Sequence, residues 1–253
     1  NIALSRPERL VGLHFFNPVS KMPLVEIVQS PTTDKTVAQQ AAAFTKRIDR
    51  LPLPVSSKPG FLVNRILMPY LMEAMILAEE GVPLAVIDKV AVDFGMPMGP
   101  IELADTVGLD ICQHVAENLS KYLKMDVPER LKTMVKAGTL GRKTGKGFYE
   151  FKNDKPVKLA VGNDHAAVDL QDRLIFRMLN EAVACLRDGV VESADLADAG
   201  VIFGTGFAPF HGGPFHYIQA RGVSQMRNML EQLHQRYGAR FTPDSGWGVL
   251  EKN

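Results

Sequence analysis

Apolar positions predict a short extended region at the start of the chain. Residues 12–28, GLHFFNPVSKMPLVEIV, contain two apolar runs separated by a segment rich in Asn, Pro and Ser. This pattern predicts two strands joined by a turn. A helix is expected from about Asp34 to Arg47, with Thr33 as its N-cap. LPLPV at 51–55 predicts a short extended segment, which its prolines confine to a sheet edge or a linker.

Helical periodicity dominates the rest of the chain. Phe61–Glu80 predicts a long helix that is apolar around most of its circumference and therefore buried. Pro69 is expected to bend this helix or to stagger its start. Further helical segments are predicted at residues 83–94, 99–123 and 127–137. GFYEF at 147–151 predicts a brief strand.

The chain contains an internal repeat. NRILMPYLMEAMILAEEGV at 64–82 aligns without a gap with DRLIFRMLNEAVACLRDGV at 172–190. Farther along, Gly99-Pro100 corresponds to Gly213-Pro214. Two amphipathic helices can resemble each other by chance, but helical period alone does not place matching Gly and Pro residues beyond them. We therefore predict two helical units of the same design in tandem.

Each of the two predicted strands carries one polar residue, His14 in the first and Glu26 in the second. Cross-strand partners in a hairpin have a constant sum of positions, so a turn centred near Ser20 places these two face to face. A carboxylate opposite an imidazole fixes its tautomer and prepares it as a general base. A buried pair that only satisfies itself is the alternative, although such pairs add little stability.

Composition and charge exclude several classes of function. The 29 Lys and Arg residues balance 28 Asp and Glu residues, so no net field recruits nucleic acid or anionic membranes. Cys112 and Cys185 form no disulfide framework or ligand motif, and no apolar run is long enough to cross a bilayer. GRKTGKG is one residue short of a Walker A loop. His211 and His216 lack companion ligands, so we predict no metal site.

Several motifs together resemble the 3-hydroxyacyl-CoA dehydrogenase family. These motifs are HFFNPV, LVEIV and KPGFLVNR in the first quarter of the chain. GMPMGPIELADTVGLD and GRKTGKGFYEF are similar to the C-terminal domain of that family. The second repeat, with ADLADAGVIFGTGFAPFHGGP, resembles bacterial multifunctional fatty-acid-oxidation alpha subunits, which carry this domain twice. The resemblance extends from about Arg9 to Gly222.

The resemblance implies a mainly α fold in three parts. Residues 1–57 would be the last part of a Rossmann-type NAD-binding domain. Residues 58–155 would form the first helical C-terminal domain of the dehydrogenase, and 156–253 would form the second, duplicated one.

The resemblance also implies roles for individual residues. His14 would be the base that takes the proton of the 3-hydroxyl group, and Glu26 would orient and support the resulting imidazolium. Asn64 would hydrogen-bond the acyl substrate, with a helix N-cap as its alternative role. Asn17 would lie near the nicotinamide, or would only initiate the turn before Pro18. Lys143 would reach the cofactor, or would be a solvated lysine of a basic loop.

The sequence departs from the family pattern in one respect. A Rossmann-type domain carries a G-x-G-x-x-G turn that receives the cofactor pyrophosphate. Gly145-Lys146-Gly147 and Gly204-Thr205-Gly206 both lack the third glycine. The serine that the family places upstream of the catalytic histidine is also missing at that spacing. We expect the chain to be a piece of a longer polypeptide and to be inactive alone.

The implied function is NAD-dependent oxidation of L-3-hydroxyacyl-CoA to 3-ketoacyl-CoA in fatty-acid β-oxidation. The implied partners are the acyl-CoA substrate, an upstream enoyl-CoA hydratase module, a thiolase subunit and a second copy in a homodimer, in the bacterial cytoplasm. One alternative is a helical dimerisation and assembly module without activity. Another is a related β-hydroxyacid dehydrogenase.

Overall fold

The computed structural model describes residues 4–159 and 169–251. The chain folds into two compact units, each made from separate segments. The first consists of Asn1–Val63, Ala182–Gln225 and Asp244–Asn253, and the second of Asn64–Glu181 and Met226–Pro243. Helices make up most of the described residues, which confirms the prediction of a mainly α protein. Within the described part of the chain, no helix is both long and apolar enough to cross a bilayer.

The first unit begins with a three-stranded sheet. Strand β1 (Val11–Phe15) is antiparallel to β2 (Leu24–Gln29), which is parallel to β3 (Leu51–Ser56). Helix α1 (Lys35–Arg47) connects β2 and β3. The central strand β2 is buried along almost its whole length, because it has a neighbour on each side and α1 against one face. The proline-containing strand β3 lies at an edge, as predicted.

The helices of the first unit include α8 (Ala194–Thr205), α9 (Pro214–Arg221) and α11 (Trp247–Leu250). Helix α8 packs against the sheet through two glycines. A Cβ on Gly200 would lie 2.6 Å from Leu53 Cδ2 of β3, and one on Gly204 would lie 3.1 Å from Leu24 Cδ2 of β2. The absence of side chains at these positions lets the helix backbone approach the core.

Five helices follow one another through the second unit. They are α2 (Val63–Glu79), α3 (Leu84–Phe94), α4 (Pro100–Val107), α5 (Leu109–Leu123) and α6 (Glu129–Lys136). A small hairpin follows, made of β4 (Phe151–Lys152) and β5 (Lys155–Pro156). Helices α7 (Leu170–Arg187) and α10 (Val223–Tyr237) contribute to both units. As expected, α2 is buried along most of its surface.

Each unit contains one helix pair with the same end-to-side contact. In the pair α3–α4, the Asp88 carboxylate accepts hydrogen bonds from the first free N–H groups of α4, those of Ile101 and Glu102, at 2.8 and 3.3 Å. In the pair α8–α9, Asp198 accepts from the corresponding N–H groups of α9 at 2.7 and 3.0 Å. Each carboxylate satisfies N–H groups that a helix start leaves unpaired.

Three local predictions were wrong. Asp34, not Thr33, is the N-cap of α1, since its carboxylate accepts from Thr36 N at 2.6 Å while Thr33 Oγ1 donates to the Leu10 carbonyl. The segment 99–123 is two helices because Gly108, at φ 106°, separates α4 from α5. Residues 147–150 do not belong to a strand, since β4 begins only at Phe151.

Candidate active site

His14 and Glu26 face each other across β1 and β2. The two residues are paired in the strand register, and His14 Nδ1 lies 2.6 Å from Glu26 Oε2. The Glu26 side chain is completely buried, whereas 29% of the His14 side chain is exposed. The hairpin therefore places a solvent-accessible imidazole directly over a buried carboxylate, at the register predicted from the sequence.

The second oxygen of Glu26 is held by the start of helix α2. Glu26 Oε1 accepts hydrogen bonds from Leu62 N at 2.9 Å and Val63 N at 3.0 Å. N–H groups at a helix start are otherwise unpaired, and the helix dipole favours a negative charge there. Because three donors surround the carboxylate, its two oxygens are fixed in position. These two backbone contacts span 36 and 37 residues of sequence and were not predicted.

The geometry around His14 distinguishes its two ring nitrogens. Its Nδ1 is bonded to an acceptor-only carboxylate, so the neutral ring carries its proton on Nδ1 and keeps the Nε2 lone pair available. The rings of Phe16 and Phe61 lie 4.6 and 5.5 Å from the imidazole, centroid to centroid. Phe61 has a left-handed backbone, at φ 48°, directly after Gly60. The arrangement fits a general base flanked by aromatic walls.

Asn17 and Asn64 occupy different local settings. Asn17 is exposed and precedes a turn in which Lys21 N and Met22 N donate to the Pro18 carbonyl. This placement fits the alternative role in the turn. Asn64 is half-buried and lies inside the first turn of α2, which starts one residue earlier. It is therefore not the N-cap that the sequence allowed as its alternative role.

Lys143 is held in an ion pair within the second unit. Its Nζ lies 2.5 Å from Asp110 Oδ1 and 2.7 Å from Asp110 Oδ2. The hydrogen bond from this ammonium lowers the pKa of the Asp110 carboxyl. The lysine is 44% exposed, so it is neither a buried residue nor a freely solvated side chain.

Asp105 organises residues 141–149, the glycine-rich segment that contains Lys143. Its carboxylate accepts hydrogen bonds from Phe148 N at 2.9 Å and Tyr149 N at 2.8 Å. These two N–H groups therefore bond to a side chain instead of a strand partner, which explains why no strand forms at 147–150. A Cβ on Gly147 would lie 1.9 Å from Asp105 Oδ1. Burial raises the pKa of Asp105 to about 6.

Sequence comparison relates the chain to proteins of fatty-acid oxidation. It is 39% identical over 254 residues to the fatty acid oxidation complex subunit alpha of Shewanella halifaxensis, covering 95% of this chain and 36% of that protein. The subunit of the same name from Idiomarina loihiensis is 40% identical over 268 residues, covering 97% and 38%. The chain thus spans little more than a third of the length of these relatives.

Solved structures of dehydrogenases share the fold. The dehydrogenase part of multifunctional enzyme 1 from C. elegans matches with a TM-score of 0.68 at 26% identity, covering 98% of this chain and 61% of that one. The 3-hydroxybutyryl-CoA dehydrogenase of Escherichia coli matches with a TM-score of 0.84 at 24% identity, covering 99% and 72%. The second similarity concerns the fold alone.

Two sequence models of one family match consecutive parts of the chain. The model described as "3-hydroxyacyl-CoA dehydrogenase, NAD binding domain" matches residues 2–58. The model described as "3-hydroxyacyl-CoA dehydrogenase, C-terminal domain" matches residues 60–151. Together they cover more than half of the chain and include the hairpin that carries the imidazole–carboxylate pair. The chain belongs to the 3-hydroxyacyl-CoA dehydrogenase family.

Proposed function

We propose that this chain carries the general base of an NAD-dependent L-3-hydroxyacyl-CoA dehydrogenase of fatty-acid β-oxidation. The observation that supports this proposal most is the 2.6 Å contact between His14 Nδ1 and Glu26 Oε2, with Glu26 buried. A pair of this kind adds little stability, whereas a partly exposed imidazole is accessible to the proton of a bound substrate. The names of the relatives and the family match point to the same reaction.

In the proposed mechanism, His14 Nε2 removes the proton of the substrate 3-hydroxyl group as the C3–H bond breaks. The electron pair of the O–H bond then forms the C3 carbonyl of the 3-ketoacyl product. Bound NAD would supply the acceptor for the hydride that leaves C3. The imidazolium that forms at His14 is stabilised by Glu26, whose carboxylate is already oriented by Leu62 N and Val63 N. Little reorganisation is therefore required when positive charge develops.

The chain fits part of an NAD site. The NAD-binding family model matches residues 2–58, but the sequence contains no G-x-G-x-x-G motif. A cradle for the pyrophosphate would therefore have to come from additional polypeptide. We propose that Asn17 contacts the nicotinamide end and that Lys143 reaches the cofactor by exchanging its ion pair with Asp110. We also propose that Asn64 hydrogen-bonds the acyl substrate.

We further propose that the helical part of the chain arose by tandem duplication, with units at 58–155 and 156–253 after a Rossmann-type portion at 1–57. The matching carboxylate contacts of Asp88 and Asp198 support this proposal. As in the bacterial alpha subunits that the sequence resembles, the proposed partners are an enoyl-CoA hydratase module, a thiolase subunit and a second copy. The proposed location is the bacterial cytoplasm.

The decisive experiment replaces His14 in a polypeptide that joins this chain to a G-x-G-x-x-G-bearing NAD-binding segment. Turnover is followed as NADH-dependent reduction of acetoacetyl-CoA. We expect His14→Gln to lower kcat by about 10²- to 10⁴-fold, the usual contribution of a general acid–base group, with NAD binding unchanged. The chain without that added segment is expected to be inactive.

His114→Gln is the matched control, since His114 is an exposed histidine on α5 whose ring pairs with Asn118. It should leave kcat unchanged. Full activity of the His14→Gln protein would refute the assignment of the base. Loss of NAD binding together with activity would indicate a structural role for His14 instead.

A further inference from the structure

The helix pair α8–α9 borders an open groove of about 610 Å³. Its polar lining includes Asp195, Asp198, His216 and Gln219, and its apolar lining includes Phe203. The Phe203 side chain is 44% exposed. The groove therefore combines acidic groups with an accessible aromatic surface, outside the hairpin that carries His14 and Glu26.

The corresponding position on the helix pair α3–α4 is occupied by a segment of the chain itself. Tyr149 donates its hydroxyl to Asp88 Oδ2 at 3.0 Å, and Lys158 Nζ lies 3.0 Å from the same oxygen. Lys158 also bonds to Glu102 at 2.7 Å. The segment Gly147–Lys158 thus places one tyrosine and one lysine on the carboxylate that caps α4.

Three lining residues of the groove occupy the helix positions of the three acidic residues that hold this segment in the first pair. They are Asp198, His216 and Gln219, in place of Asp88, Glu102 and Asp105. The capping carboxylate is present in both pairs. Asp105, which anchors the segment backbone in the first pair, is replaced in the second by Gln219, whose side chain is exposed. The groove therefore retains the acceptor for an incoming hydroxyl or ammonium group.

Among residues 4–159 and 169–251, no lysine, arginine or tyrosine side chain bonds to Asp198; its partners are the N–H groups of Phe215 and His216. Asp88, by contrast, has both Tyr149 and Lys158. We infer that the groove of α8–α9 is a docking site for a peptide segment that carries a tyrosine and a lysine, of the same design as Gly147–Lys158. The tyrosine ring would pack on Phe203, and the two polar ends would meet Asp198.

The probe for this inference is the synthetic peptide GFYEFKNDKPVK, which is residues 147–158 of this chain. Residues Phe151–Pro156 already form a hairpin in the protein, which favours a compact bound form. We expect saturable 1:1 binding to the full chain, with amide chemical-shift changes concentrated at residues 194–203 and 212–219. A peptide with Tyr149→Phe and Lys158→Gln should bind at least about tenfold more weakly, because both polar contacts are lost.

Ala199→Trp fills the groove from α8 without removing the Asp198 cap and should abolish binding. Lys89→Trp is the matched control, because Lys89 is the exposed residue at the same helix position of α3, and it should leave binding unchanged. Absence of saturable binding, or binding that survives Ala199→Trp, would overturn the inference. Loss of binding only in Lys89→Trp would also overturn it, since the peptide would then be exchanging with the protein's own segment.

Discussion

The helix pairs α3–α4 and α8–α9 share an aspartate cap at the start of the second helix and differ in the side chains that contact that aspartate. In both pairs, an aspartate at the fifth position of the first helix caps the start of the second. In both, a Gly-Pro dipeptide forms that start, with the glycine as N-cap and the proline as the first helical residue. Only the first pair adds Asp105, the glycine-rich segment and the tyrosine and lysine that contact Asp88.

This difference separates what both helix pairs require from what, among the described residues, only the first pair has. Both pairs need the capping aspartate because N–H groups at a buried helix start cannot stay unpaired. Both need the glycine because a Cβ there would lie 2.3 or 2.4 Å from the Cβ of that aspartate. The glycine-rich segment is not needed for that contact, since the second pair forms without it. A segment that the fold does not require is more readily explained by function, in line with the proposed reach of Lys143 toward the cofactor.

The largest expected effect concerns the glycines before α4 and α9. A Cβ on Gly213 would lie 2.4 Å from Asp198 Cβ, and one on Gly99 would lie 2.3 Å from Asp88 Cβ. Gly213 also has φ 101°, whereas Gly99 has φ −70°. Gly213→Ala combines a clash with backbone strain and should lower the free energy of unfolding by about 3–5 kcal/mol, and Gly99→Ala by about 1–3 kcal/mol.

Urea denaturation measures both values. Gly248→Ala is the control, because a Cβ there meets nothing within 4 Å, and it should change stability by less than about 0.5 kcal/mol. Equal losses for Gly99→Ala and Gly213→Ala would show that backbone strain adds nothing to the second pair.

The next effect tests the anchor that only the first pair has. Asp105→Ala leaves the N–H groups of Phe148 and Tyr149 without their acceptor and should lower the free energy of unfolding by about 2–3 kcal/mol. Hydrogen exchange at these two amides should become faster. Gln219→Ala, at the same helix position of α9, removes an exposed side chain and should have almost no effect. A similar loss for both variants would contradict the distinction between the pairs.

The sequence predicted contacts that depend on local spacing and missed those that depend on packing. The His14–Glu26 pairing follows from a constant sum of positions in a hairpin, and the structure has that register. The bonds from Leu62 N and Val63 N to Glu26 could not be predicted, because they depend on where α2 packs against the sheet. Residues 147–150 were misassigned for a similar reason, since a distant carboxylate outweighed their strand propensity.

A smaller effect should appear as pH dependence in both pairs. Burial raises the pKa of Asp105 and of Asp198 to about 6, from an ordinary value of 3.8. Between those values the folded chain binds more protons than the unfolded chain, so the free energy of unfolding falls as pH rises from about 4 to about 6. Because water still screens both carboxyls in part, the expected decrease is smaller than the full conversion at about 1.4 kcal/mol per pKa unit, on the order of 1–2 kcal/mol for each.

Asp198→Asn removes one of these two titrating groups and should reduce the dependence of stability on pH over that interval by about half. Glu192→Gln is the control, because Glu192 is exposed and lies just before the same helix, and it should keep the wild-type slope. An unchanged slope in Asp198→Asn would show that the aspartate remains ionised throughout the interval.

The smallest effect belongs to the lysine that only the first pair has. Lys158 contacts Asp88 and Glu102, but 31% of its side chain is exposed, so solvent and salt screen both ion pairs. Lys158→Gln should therefore lower the free energy of unfolding by only about 0.5–1 kcal/mol at low ionic strength. In 1 M NaCl the difference from wild type should nearly vanish. A loss that is independent of salt would mean that Lys158 acts through the cation–π contact of its ammonium group with the Tyr149 ring, whose centroid lies 5.3 Å away.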